Sequence, residues 1–134
     1  KYFRNLPPTT SQVQAAFDEV REAIHTIDKE LFYPLRVVAG TPTTLAAVCL
    51  GLEQFDAAKI HNYPLSTLSV HILLRQLADS TFDELISMPG VHPGRADILP
   101  AGTLILHEFL RYTEQLKCTV SVKGLRYGVL KEMV

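Results

Sequence analysis

At 134 residues the chain has the length of one domain, and its 47% hydrophobic content can build a core, which excludes a disordered tract. Thirteen basic residues against fourteen acidic ones leave a net charge of −1, which excludes the global basic field that recruits DNA. Any bound anion must therefore be held by local geometry. No apolar run approaches the ~20 residues of a membrane span, and no charged-then-apolar leader is visible. A cytoplasmic protein without a membrane partner is expected. The chain begins at Lys1 rather than Met, which suggests a piece of something longer. Cys49 and Cys118 lack metal-ligand spacing and are expected to be buried, reduced thiols.

In chain order, residues 1–8 read as a lead-in ending at Pro7-Pro8. Thr9 and Gln12 form a capping-box pattern. Val13, Ala16, Phe17, Val20, Ile24, Ile27 and Leu31 follow at helical spacing and predict about five turns of helix, stopped by Pro34. Leu35 to Ala39 reads as a short buried strand. Gly40-Thr41-Pro42 turns it into a helix, with Thr41 as the expected cap and Gly51 at the end.

Residues 53–65 read as irregular, with Asn62 marking a left-handed position. Ser66 is expected to cap a helix burying Val70, Leu73, Leu74 and Leu77. Thr81 and Glu84 form a second capping box, closed by Met88-Pro89-Gly90. A long helix is predicted from about Arg95 to Leu116, with a stripe of Ile98, Gly102, Ile105, Phe109, Tyr112 and Leu116. Thr119 to Val122 reads as a second strand, and Gly124 turns it into a terminal helix. Two strands separated by helices predict parallel α/β topology. Two strands are too few for an independent sheet, so further strands are expected elsewhere.

Three segments have chemistry to offer. In Val38-Ala39-Gly40-Thr41-Pro42-Thr43-Thr44 a strand feeds a glycine turn and a helix start, where free N–H groups and a partial positive charge suit phosphate. An ordinary threonine-capped turn is the competing reading. Ser121-Val122-Lys123-Gly124-Leu125-Arg126 repeats the design with two cations. Side-by-side parallel strands would open both turns at the sheet's carboxy-terminal edge, where such sheets bind ligands. Arg126 could equally be a solvated or packing arginine. In the third, Arg95 can reach an anion, or Asp97 simply meets the dipole of the following helix. The five histidines have no metal-site spacing, and no metal ligand or catalytic triad is expected.

Four stretches in register resemble the exopolyphosphatase/guanosine-pentaphosphate phosphatase (Ppx/GppA) family. They are Val38 to Ala46, Ile60-His61-Asn62-Tyr63-Pro64-Leu65-Ser66, Pro93 to Gly102, and Ser121 to Gly128. The chain departs from the family pattern at Ala39 and Asn62, where glycine is common, and at Val122, where a polar residue is common. The resemblance implies an actin-like, ribonuclease-H-like fold, with residues 1–134 forming the C-terminal portion of its second domain. It implies a phosphohydrolase acting on polyphosphate or guanosine pentaphosphate, with Mg²⁺ in the full-length enzyme. Gly40, Thr41, Thr43, Arg95 and Arg126 are the expected phosphate- or nucleotide-facing residues.

The family's first phosphate loop, its catalytic glutamate and its Asp-x-Gly-Gly-Gly loop are absent. The resemblance therefore assigns no catalytic residue to this chain, which is expected to be inactive alone and to bind no metal. Its expected partners are polyphosphate, guanosine pentaphosphate or tetraphosphate, the missing N-terminal half and, in isolation, further copies of itself. A non-catalytic binding module and a purely structural domain are the competing roles.

Overall fold

The computed structural model describes residues 3–29 and 34–132. Helix α1 (Thr10–Ile24) opens on the expected capping box: Gln12 N–H donates to Thr9 Oγ1 at 3.3 Å, and Thr9 N–H donates to Gln12 Oε1 at 2.8 Å. It ends at His25, about two turns before Pro34. Leu31, the last residue of the predicted stripe, lies outside the described residues. Strand β1 (Arg36–Val37) leads into α2 (Gly40–Cys49). Gly51, at φ +61°, terminates α2 with bonds from Gly51 N–H to Val48 O and from Leu52 N–H to Ala47 O, the paired pattern of a Schellman stop.

The segment read as irregular holds a short helix, α3 (Ala57–Ile60), and a third strand, β2 (Pro64–Ser66). Asn62 takes the expected left-handed backbone, at φ +67°. Helix α4 (Thr67–Asp79) is capped by Ser66 and buries Val70, Leu73, Leu74 and Leu77 as predicted. The second capping box opens α5 (Phe82–Ser87). A 3₁₀ turn, Pro93–Arg95, precedes α6 (Leu99–Tyr112), which therefore starts later than predicted. Pro100 consequently sits in the first turn, where its missing N–H costs nothing. Strand β3 (Lys117–Val120) and α7 (Leu125–Glu132) complete the order.

The sheet runs β1-β3-β2. β1 and β3 are parallel, as predicted, with Arg36 opposite Thr119 and Val37 opposite Val120. β2 is antiparallel to β3, so the sheet is mixed and three-stranded rather than a parallel pair. Leu45, Ile60, Leu65, Leu77, Leu110 and Val120 form the centre of the core against the sheet and beneath α4 and α6. A smaller cluster, Ala16, Leu74 and Leu104, joins α1 to α4 and α6.

Two packing expectations are corrected. The core face of α6 is Leu99, Thr103, Leu106 and Leu110, one residue round from the predicted stripe; Ile98 and Ile105 are 59% and 52% exposed. Cys118 is buried and its thiol is pushed up to about 11 by burial, but Cys49 is exposed at the end of α2.

Candidate functional site

The turn after β1 is built unusually. α2 begins at Gly40, two residues earlier than a Thr41 cap would allow, and its N-cap is Ala39 at φ +83°, ψ −171°. That backbone region is nearly exclusive to glycine. No side chain caps the helix start. The early N–H groups, of which Pro42 has none, therefore depend on solvent or a ligand.

Two close contacts set this helix start against the 3₁₀ turn and α6. A Cβ on Gly40 would lie 2.6 Å from a terminal guanidinium nitrogen of Arg95, so the arginine packs directly over the glycine backbone. A Cβ on Gly102 would overlap Thr41 Oγ1, so the threonine seats on α6 where that helix has no side chain. These contacts frame a pocket of about 460 Å³ lined by Gly40, Thr41 and Arg95 among polar-capable groups and by Val38, Ile98 and Ile105 among apolar ones. Among the described residues the Arg95 guanidinium has no carboxylate partner. A positively charged helix start and an unneutralised arginine thus face one cavity, an arrangement suited to an anion.

Three of the five expected site residues, Gly40, Thr41 and Arg95, meet in this pocket. Thr43 faces inward, and its hydroxyl donates to the carbonyls of Ala39 and Gly40, both at 3.0 Å. Arg126 is exposed on α7 and is not among the lining residues. Because β1 and β3 are parallel neighbours, the Gly40 and Gly124 turns leave the same edge of the sheet, as expected. Ile98, Gly102 and Ile105 also line the pocket. Their i, i+4, i+7 spacing was visible in the sequence, but which side of α6 faces the core was not.

The pocket lining contains no carboxylate, and among the described residues no cluster of three or more His, Cys, Asp or Glu could hold a metal. Mg²⁺ takes oxygen ligands and is usually anchored by carboxylates. The residues here do not fit such an ion. No described helix is long and apolar enough to cross a membrane.

The sequence matches the Ppx/GppA phosphatase family model over residues 1–134. The chain belongs to the Ppx/GppA phosphatase family. Among relatives of this Ppx/GppA chain, exopolyphosphatase 2 of Mycobacterium tuberculosis is 32% identical over 109 residues, covering 78% of this chain and 34% of the relative. A bifunctional 3-dehydroquinate synthase/phosphatase of Fusobacterium nucleatum is 33% identical over 121 residues, 89% of this chain and 18% of that protein. The crystal structure of the Aquifex aeolicus family member superposes with a TM-score of 0.88 at 26% identity, over 99% of this chain and 44% of that one. The expected actin-like fold is therefore present in part. The Ppx/GppA chain spans about a third of the exopolyphosphatase and under half of the solved structure.

Proposed function

We propose that this chain is the ligand-facing C-terminal portion of the second actin-like domain of a phosphohydrolase. Its substrates would be inorganic polyphosphate or guanosine pentaphosphate, met in the cytoplasm. The observation that carries this reading is Arg95, without a carboxylate partner and packed over Gly40 at the uncapped start of α2. In phosphoryl transfer a protein contributes chiefly position and charge stabilisation. Gly40 and Thr41 backbone amides, the Thr41 hydroxyl and the Arg95 cation would supply that here. The general base and any Mg²⁺ ligands would come from the N-terminal half of the parent protein.

A second reading is favoured by the absence of a carboxylate from the pocket lining. On it, the chain binds polyphosphate or guanosine tetraphosphate without hydrolysing either. In both readings the chain alone releases no phosphate, and Arg126 becomes a peripheral contact for a long anion.

Calorimetric titration with polyphosphate and with guanosine tetraphosphate tests the site. Arg95→Ala should weaken binding by about 2 kcal/mol, the value of a charge-assisted hydrogen bond. Gly40→Ala should do so too while leaving the fold intact, because its new Cβ meets the flexible end of Arg95 rather than backbone. Unchanged affinity in both variants would remove the pocket from the function. Steady phosphate release by the repurified wild-type chain would defeat the assignment of the base to the missing half.

A further inference from the structure

On the opposite side of α6 from the core strands, four polar side chains form a continuous chain across three helices. Arg21 of α1 donates from Nε to Glu108 Oε2 at 2.6 Å. Glu108 Oε1 lies 3.0 Å from His107 Nδ1. His107 Nε2 lies 3.1 Å from Nδ1 of His71 on α4. Glu108 and His107 are each only 4% exposed, whereas His71 is open to solvent. Phe17 of α1 packs edge-on against His107, and the Arg21 guanidinium stacks 5.2 Å from the Phe17 ring centre. Arg111, one turn along α6, also faces the group, 4.0 Å from Glu108. None of these residues lines the pocket.

Proton bookkeeping in this chain is constrained. The paired Glu108 carboxylate can only accept, so His107 Nδ1 carries hydrogen. With both rings neutral, His71 Nδ1–H donates to His107 Nε2. With one added proton, either His71 is the imidazolium and its Nδ1–H still donates to His107 Nε2, or His107 is and its Nε2–H donates to Nδ1 of a His71 that carries its own proton on Nε2. Each arrangement keeps the hydrogen bond. A second proton puts N–H against N–H and like charge against like charge, beside Arg21 and Arg111.

We propose that His71, His107, Glu108 and Arg21 form a pH-sensitive fastening that holds α1 and α4 to α6 and opens when both imidazoles are protonated. The closed state holds at most one proton on the pair, and the open state holds two. Burial keeps His107 below its ordinary value near 6.5, with Glu108 opposing that shift. The sign follows: a histidine depressed in the folded state contributes stability that is present above its ordinary value and lost as pH falls.

The test uses amide exchange of α1, corrected for intrinsic rates, together with ¹⁵N spectra of the imidazoles. In the wild-type chain, α1 protection should fall about tenfold per pH unit between about pH 6 and 5, the slope for one extra proton in the open state. At pH 7.5, His107 should be protonated at Nδ1 and bare at Nε2. His71→Asn should lessen the slope, because an amide can offer either N–H or oxygen to His107 in both of its states, and the part that remains is the one that burial of His107 supplies. The proposal is overturned if His71→Asn keeps the wild-type slope, or if the wild-type spectra place the His107 proton on Nε2 at pH 7.5. Should the variant not fold, the wild-type tautomer and slope decide by themselves.

Discussion

Ala39 is the residue where the backbone and the side chain disagree most. Its φ of +83° with ψ of −171° lies in territory that glycine occupies freely and a Cβ does not. The geometry suits the glycine that the family resemblance implies here and makes Ala39 a strained departure from it. Strain of this kind costs of the order of 1–3 kcal/mol, and glycine's greater freedom when unfolded returns roughly 0.4–1 kcal/mol. Ala39→Gly should therefore stabilise the chain by about 1 kcal/mol, read as a higher urea midpoint at unchanged slope. A lower midpoint would mean that the Ala39 methyl makes packing contacts worth more than the strain. Glu114, at φ +54°, fills the left-handed position after α6 in the same Schellman pattern that Gly51 fills after α2. There the non-glycine residue is tolerated because the left-handed helical region is milder than the one Ala39 occupies.

Helix starts are the elements that sequence specified best, because a cap is a contract between residues three apart. Thr81 and Glu84 illustrate it: Thr81 N–H donates to Glu84 Oε2 at 2.7 Å, and Glu84 N–H donates to Thr81 Oγ1 at 3.3 Å. Thr81→Ala should cost about 1 kcal/mol in thermal or urea unfolding. The backbone bond from Thr81, then its hydroxyl, holds the Glu84 carboxyl below its usual 4.5. A depressed carboxylate contributes stability that is present above its unfolded value and lost as pH falls through the folded one. The cost of Thr81→Ala should thus shrink below about pH 4; a cost that stays constant down to pH 3 would show that the bond from the Thr81 hydroxyl to the Glu84 carboxylate contributes nothing. Elements fixed by distant contacts were harder to read. β2 is three residues long and starts at Pro64, too short a run for an alternation to be read, so its pairing with β3 is what makes it a strand. α6 carries apolar residues on two adjacent faces, and periodicity cannot say which one a neighbouring helix will cover. His71 and His107 lie 36 residues apart, and no local pattern announces their meeting.

At the scale of the molecule, the three-stranded sheet is closed on one side and open on the other. β2 is an outer strand that begins with Pro64, which has no N–H to offer a further strand. β1 is the other outer strand: Leu35 O and Val37 O accept from Thr119 of β3 and from Ser121 just beyond it, so the N–H and C=O of Arg36 point outward. The same chain exposes Val38, Ile98 and Ile105 around the pocket, and Tyr127, Val129 and Leu130 on α7. Since the chain spans 44% of the solved Aquifex aeolicus protein, the occupant proposed for these surfaces in the parent protein is its N-terminal half. In isolation they remain available, and open edges and apolar faces pair with further copies. Sedimentation velocity should therefore find a concentration-dependent shift from monomer to oligomer. Val129→Lys combined with Leu130→Lys should move that shift to higher concentration without altering the unfolding free energy by more than about 0.5 kcal/mol, because both positions are surface ones. A monomer at every concentration would mean that the open side of β1 and the α7 face are adequately protected by solvent and charge alone, and the argument for a missing half would then rest on the length of the relatives.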